Sequence, residues 1–233
     1  MVGGKGTRLR PFTHILPKPL VPVGETSILE LVLRQLRFFG FEHAILSVGH
    51  KAELIMAVVG DGKRFGLDIT YHHETTPQGT IGALSAMSDL DDNFLVMNGD
   101  ICTNLDYREL LSTHTKSGAV ATISTYRRLE KIELGVLHLA PASNRIIGFQ
   151  EKPVHDLLVS MGVNAFQREV CDLIPRDKYF GFDDLMFALI KSGADVRSRL
   201  FEGTWHDIGR PDDYQRMLED FETRPSHYLP DGA

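Results

Sequence analysis

The 233-residue sequence predicts an α/β fold: a doubly wound, mixed and mostly parallel sheet with helices on both faces and a small antiparallel insert. Three observations predict it. Apolar runs of strand length alternate with amphipathic stretches of helix length, the order that builds a largely parallel sheet. A glycine-rich segment, Gly3-Gly4-Lys5-Gly6-Thr7-Arg8-Leu9-Arg10-Pro11, opens the chain. The composition, 42% hydrophobic and 24% charged, is that of an ordinary globular protein long enough for one large domain with a buried core.

In the opening segment three glycines and the cations Lys5, Arg8, Arg10 and Lys18 lie close together. Glycine reaches φ > 0 and lets the backbone approach a ligand, and successive main-chain N–H groups in such a loop form a nest for phosphate oxygens. Two familiar phosphate loops fail on spacing. A P-loop needs Ser or Thr after Gly-Lys, whereas Gly4-Lys5 is followed by Gly6; a dinucleotide fingerprint begun at Gly4 meets Leu9 at its sixth place. On the glycines alone, a charged surface turn remains the alternative. A loop of this kind follows a buried strand, yet only Met1 and Val2 precede it. The first strand is therefore read as truncated, an expectation that leaves the hydrogen-bonding edges of its two neighbours open.

From Ser27 the pattern turns helical: Ser27-Ile28-Leu29-Glu30 reads as a capping box and Gly40 stands where the helix should end. His43 to Gly49 is a short alternating apolar run, Ala52 to Val59 a helix, Gly60-Asp61-Gly62 a turn and Leu67 to His73 a strand. Gly79-Thr80-Ile81-Gly82-Ala83-Leu84 opens another helix, and Asn93 to Asn98 is an apolar strand ending at Gly99-Asp100. Asp106, with Glu109 at the third helical position, starts a helix to about Lys116; Ala119 to Tyr126 is rich in β-branched residues. Gly135 to Phe149 reads as an antiparallel insert around the turn Pro141 to Asn144. Leu157 to Phe166 then reads as a strand, Phe182 to Ser192 as a helix ended by Gly193, and Val196 to Phe201 as a return to the sheet. Pro211 with Asp212 and Asp213 opens a last helix. Residues 1–222 form the expected domain, and residues 223–233, with Pro, Ser, Gly and Asp, a loose tail.

The charge and composition exclude several classes. A net charge of −6 argues against general nucleic-acid binding, which needs a basic face, and assigns the local cations to a small phosphate ligand. No apolar run approaches the roughly 20 residues of a membrane span and no signal segment opens the chain, so a cytoplasmic protein without membrane attachment is expected. Cys102 and Cys171 form no C-x-x-C and read as small buried side chains, not as a disulfide framework or zinc site.

With Thr13 and Pro17-Lys18-Pro19 added, the opening segment resembles the signature of the sugar-1-phosphate nucleotidylyltransferases, the NDP-sugar pyrophosphorylases. Gly79-Thr80-x-Gly82-Ala83-Leu84 is similar to the mannose-1-phosphate guanylyltransferase-like and heptose-using members. The resemblance implies a Rossmann-like fold and a reaction in which an NTP and a sugar 1-phosphate give an NDP-sugar and pyrophosphate. It implies Arg8, Lys18 and Lys152 as catalytic cations, and Gly3, Gly4, Gly6, Thr7, Glu74, Gly79 and Thr80 as the nucleotide site. Glu151, Gly162 and Asn98 would bind the sugar, and Asp100 and Asp207 would hold Mg²⁺, a cation that takes oxygen ligands and keeps several waters. Each has a plainer alternative: Asn-Gly-Asp and Glu-Lys-Pro as turns, Trp205 as a core aromatic, His206 as a surface residue. Ser160-Met161-Gly162 matches the family's sugar segment, while Asn164-Ala165 departs from its usual bulky apolar pair.

The base is argued from Glu74, which falls where relatives place a residue that reads the base edge. A carboxylate only accepts hydrogen bonds, which suits the adjacent N1–H and N2–H₂ donors of guanine; thymine and uracil set one N–H between two carbonyls. GTP with a mannose- or heptose-like sugar is expected, with dTTP or UTP and glucose 1-phosphate as the alternative. A second alternative is a non-catalytic regulatory subunit that binds nucleotide sugars. Homo-oligomerisation stays open.

Overall fold

The computed structural model describes residues 1–4, 6–209 and 211–229. Lys5 of the opening cluster and residues 230–233 of the expected tail lie outside the described residues.

Three short 3₁₀ turns carry the opening segment: Thr7–Leu9, Phe12–His14 and Lys18–Leu20. A two-residue hairpin follows, β1 (Pro22–Val23) and β2 (Thr26–Ser27), and leads into α1 (Ile28–Phe38). The expected capping box is present: Glu30 N donates to Ser27 Oγ at 3.3 Å and Ser27 N to Glu30 Oε2 at 3.1 Å. Next come β3 (His43–Val48), α2 (Ala52–Val59) and β4 (Asp68–His73), close to their expected bounds. The helix expected at Gly79 lasts one turn, α3 (Gly79–Gly82), and continues as a 3₁₀ turn. β5 (Asn93–Met97) and β6 (Ile101–Thr103) precede α4 (Tyr107–Ser117), capped by Asp106 as expected.

Two strands are longer than their sequence suggests. β7 (Ala121–Lys131) and β10 (Val154–Gln167) run together past the sheet as a ribbon, tipped by the insert hairpin β8 (Val136–Leu139) and β9 (Ile146–Gln150). The chain closes with α5 (Phe182–Ser192), β11 (Val196–Phe201), β12 (Trp205–Asp207), α6 (Pro211–Thr223) and α7 (Pro225–Tyr228).

The main sheet has the order β11-β7-β10-β5. β11 pairs parallel with β7, and β10 pairs antiparallel with both β7 and β5. Three strands therefore run one way and β10 alone opposes them, the mixed sheet expected. Side chains alternate between two cores, the signature of a sheet covered on both faces. Phe94, Val96, Ile123 and Phe166 pack with Ile81, Leu185 and Leu189 on the α3 and α5 side. Val163 and Ala165, with Leu95 and Met97 against them, pack with Tyr107 and Leu110 on the α4 side.

β3 and β4 pair parallel with each other but not with the main sheet. Met1 and Val2 bridge the gap: Val2 N donates to Ser47 O at 3.0 Å, the Met1 amine to Met97 O at 2.8 Å, and Gly99 N to Met1 O at 2.9 Å. Beyond those residues, His43 to Leu46 and Asn93 to Met97 line a mainly apolar cavity of about 440 Å³. Among the described residues β3 has only β4, and β5 only β10, as a partner strand.

The tail reading is corrected for residues 223–229. α7 packs against α6, and Tyr228 is fully buried among Ile28, Cys102 and Phe221. Gln35 explains the hold: its Nε2 donates to Tyr228 O at 2.8 Å and Thr103 O at 2.7 Å, and its Oε1 accepts from Tyr107 OH at 3.1 Å. Of the cysteines, Cys102 is buried, with burial pushing its thiol pKa well up, whereas Cys171 is only half-buried. Among the described residues no helix is long and apolar enough to cross a membrane.

Candidate active site

The opening loop is folded back on the lysine segment. Gly6 adopts φ 59°, and a Cβ there would come within 3.0 Å of Lys18 Cβ and Thr13 Cγ2, so only glycine permits the approach. Thr13 Oγ1 donates to Gly6 O at 2.8 Å and fastens the turn. Lys18 is thereby buried, with 8% exposure, and its ammonium pairs with Asp100, which follows β5. A buried lysine needs such a partner, since an isolated ammonium away from water is strongly unfavourable. The pair joins the two halves of the expected site across 82 residues of sequence.

Glu74 lies at the root of the same loop. A Cβ on Gly3 would stand 3.3 Å from Glu74 Oε1 and from Gly49 N, whereas Gly4 is open. Oε1 of Glu74 accepts from Ser47 Oγ at 2.6 Å and Oε2 from Gln78 N at 3.3 Å. Each oxygen keeps acceptor capacity for a ligand donor. Thr7 and Arg8 are exposed on the first 3₁₀ turn.

Two adjoining cavities share Asp207. One, of about 350 Å³, is lined by Arg8, Arg128, Glu130, Asp207 and Arg216. A Cβ on Gly209 would stand 3.5 Å from Asp207 Oδ2 and 3.6 Å from both terminal nitrogens of Arg8, so carboxylate and guanidinium flank the same glycine. The other, of about 250 Å³, is lined by Thr80, Asn98, Ser160, Gly162, Asn164 and Asp207, with Trp205 beside them. Asn98 N donates to Gly162 O at 2.9 Å, and Gly162, at φ 73°, could carry no Cβ without meeting Asn98 Nδ2 at 2.7 Å. Trp205 Nε1 donates to Met161 O at 3.1 Å and its ring packs on Tyr126, so it is a wall of this cavity. His206 is half-buried against Asp220 and takes no part.

Several expected residues have another setting. Gly79, at φ 81°, is required by its packing, because a Cβ would fall 2.6 Å from Phe180 O. Thr80 Oγ1 accepts from Phe182 N at 3.0 Å, capping the start of α5, and lies in the second cavity with Asn98. Glu151 and Lys152 are exposed in the turn between β9 and β10 and line neither cavity; Lys152 adopts φ 43°. Sequence reasoning missed Arg128, Arg216 and Asn164 as lining residues. Only folding brings the first two beside Arg8, and nothing in their local sequence distinguishes them from surface arginines.

Asp207 faces Ile101 in the antiparallel β6–β12 ladder, which sets Asp100 one residue beyond that pairing. Two carboxylates at one ladder end fit a hard divalent cation that fills its remaining positions with phosphate and water. Among the described residues no group of three or more His, Cys, Asp or Glu side chains converges, so a closed protein cage for a metal is not formed.

A doubly wound sheet with cations and carboxylates gathered at strand ends defines an α/β protein of the anion-binding kind. The chain belongs to the nucleotidyl transferase family, whose description "Nucleotidyl transferase" matches residues 1–224. It is 33% identical, over 94% of its length, to a UTP–glucose-1-phosphate uridylyltransferase of Synechocystis sp., and 31% identical over 94% to a mannose-1-phosphate guanylyltransferase of Mycobacterium tuberculosis. The chain spans only 61% and 63% of those two proteins. Among solved structures, HddC from Yersinia pseudotuberculosis complexed with GMP-PN has a TM-score of 0.73 at 25% identity, covering 94% of this chain and 96% of that one. A putative glucose-1-phosphate thymidylyltransferase from Bacillus anthracis, with a TM-score of 0.75 at 23% identity over 94% and 92% of the chains, shares the fold.

Proposed function

We propose that the protein is a sugar-1-phosphate nucleotidylyltransferase, converting an NTP and a sugar 1-phosphate into an NDP-sugar and pyrophosphate. The observation that carries this reading is the meeting of the opening loop with Asp100 through Lys18, beside two cavities that share Asp207. A phosphate oxygen of the sugar forms a bond to the α-phosphorus while the bond from that phosphorus to the bridging oxygen breaks, and the electron pair leaves with pyrophosphate. The nucleophile arrives ionised, so the protein's work is alignment and charge stabilisation.

Arg8, at the first cavity, neutralises the leaving pyrophosphate, and Lys18 the charge at the reacting phosphorus. The loop glycines Gly3, Gly4 and Gly6 offer backbone N–H groups to the triphosphate. The family resemblance gives Lys152 the sugar phosphate and Glu151 the sugar hydroxyls, although both stand exposed in the turn between β9 and β10, outside the two cavities. Asn98 and Gly162 line the sugar cavity. Asp100 and Asp207 would hold Mg²⁺, which when bound supplies positive charge to phosphate oxygens. The product is an activated sugar of the kind consumed in polysaccharide biosynthesis, and the reaction belongs in the cytoplasm, where NTPs are available.

GTP is the favoured nucleotide. Glu74 supports it chemically, and the M. tuberculosis relative and the GMP-PN complex of HddC are in keeping. UTP with glucose 1-phosphate is the second reading, favoured by the Synechocystis relative. Pyrophosphate release with Mg²⁺, using GTP, dTTP, UTP, CTP and ATP against mannose and glucose 1-phosphates and a heptose 1-phosphate, tests both. Release with GTP and a manno-configured sugar is expected. Release with another nucleotide keeps the reaction and removes Glu74 as a guanine reader; a folded protein silent with every pair overturns the transferase reading.

A further inference from the structure

Asn164 is a polar residue in an apolar position. In the β10–β5 ladder it faces Val96, and in the β10–β7 ladder Ile123. Both neighbours and the next residue on that face, Phe166, belong to the hydrophobic core beneath α3 and α5. An aliphatic side chain would complete this face. Asn164 instead is 3% exposed, and its Oδ1 is buried with no hydrogen-bond partner among the described residues. An unpaired buried carbonyl is unfavourable in a folded protein, and each such group in a native structure calls for a physical reason.

The reason lies in what Asn164 borders. The irregularity in pairing between Ser160 and Asn164 opens β10 at the second cavity, where Asn164 lines the wall with Asn98, Ser160 and Gly162. That wall continues through Ile81 and Phe182. A space of about 250 Å³ with an apolar side and a polar rim has the size and character for one pyranose ring, too small for a whole nucleotide. We propose that Asn164 is a specificity-determining residue for the sugar, its amide oxygen accepting a hydrogen bond from a hydroxyl that the bound sugar 1-phosphate turns toward β10. The inference rests on the nucleotidylyl-transfer reading and deepens it. The substrate class is a hexose or heptose 1-phosphate with a free hydroxyl on that face; a deoxy sugar lacking it leaves the carbonyl unpaired and is rejected. A site built around a substrate hydroxyl discriminates against its absence more strongly than an apolar pocket discriminates against its presence.

Calorimetric titration separates the sugar's share of binding from that of the nucleotide. Wild type, Asn164→Leu and Asn164→Asp are titrated with GDP and GDP-mannose, and with UDP and UDP-glucose. Asn164→Leu should bind the nucleoside diphosphates as wild type does and lose roughly ten- to hundredfold in affinity for the sugar conjugate that wild type prefers. Asn164→Asp, which keeps an acceptor, should lose less. In turnover, one monodeoxy sugar 1-phosphate should be discriminated against by wild type and no longer by Asn164→Leu. Equal affinity of Asn164→Leu and wild type for the sugar conjugate overturns the proposal and leaves nucleotidylyl transfer standing. If wild type binds no diphosphate and no conjugate, the functional reading falls and this inference with it. Asn164→Ala carries the same comparison if the leucine melts well below wild type.

Discussion

Lys18 and Asp100 hold each other in the partly buried centre of the site, with side-chain exposures of 10% and 25%. Each has two tasks, counter-charge for the other in the resting protein and a charge for the reacting phosphates in the proposed chemistry. Asp100→Asn keeps the shape and removes the charge. Turnover should fall about 10²–10³-fold, the usual loss for one electrostatic group at a transition state. The melting temperature should also fall, by about 2–4 °C for each kcal/mol lost in a domain of this size, because Lys18 loses its carboxylate. Pyrophosphate release and a thermal melt on the same sample read the two effects separately. A normal rate with a lowered melting temperature would reduce Asp100 to a structural partner. Among the described residues Glu74 forms no ion pair: its oxygens take a hydroxyl and an amide, and both keep acceptor capacity for a base.

At the scale of elements, what could be read in the sequence was what neighbours in sequence decide. The capping box at Ser27, the Asp106 cap and the Gly193 stop rest on contacts within four residues, and all three are in place. The ends of β7 and β10 were misjudged because each stabilises the other beyond the sheet, and neither half of a ribbon shows that alone. β6 and β12, three residues each, are too short for any periodic signal. The site divides in the same way. The glycine loop and the two aspartates could be found by motif, while Arg128 on β7, Arg216 on α6 and the setting of Asn164 on β10 come from elements that meet only in space. α7 is the clearest case, since Pro225-Ser226-His227-Tyr228 looks like tail composition, and its anchor Gln35 lies 193 residues away. Tyr228→Ala should therefore cost about 3–5 kcal/mol, in the range of other fully buried aromatics. Urea unfolding measures it; a change below 1 kcal/mol would mean that α7 is not held in solution as it is here.

For the molecule as a whole, the division between the β3–β4 pair and the four-stranded sheet sets the pattern of stability. Edges with no partner strand exchange their amide hydrogens by small local openings, while doubly paired strands need larger ones. Peptides covering residues 43–48 and 93–97 should exchange faster than those covering Thr122 to Thr125 or Asn164 to Phe166, which lie between partners. Equal protection across these segments would show that the sheet is continuous in solution. Arg8 is set differently. Its neighbour Leu9 is fully buried in the core with Ile28, Tyr214 and Met217, and Thr13 ties down Gly6 on the other side of it. A guanidinium so mounted takes its aim from that core, and nucleotidylyl transfer is intolerant of misalignment. Hollowing the core at this point, as Leu9→Ala would, should therefore blunt turnover as well as lower the melting temperature.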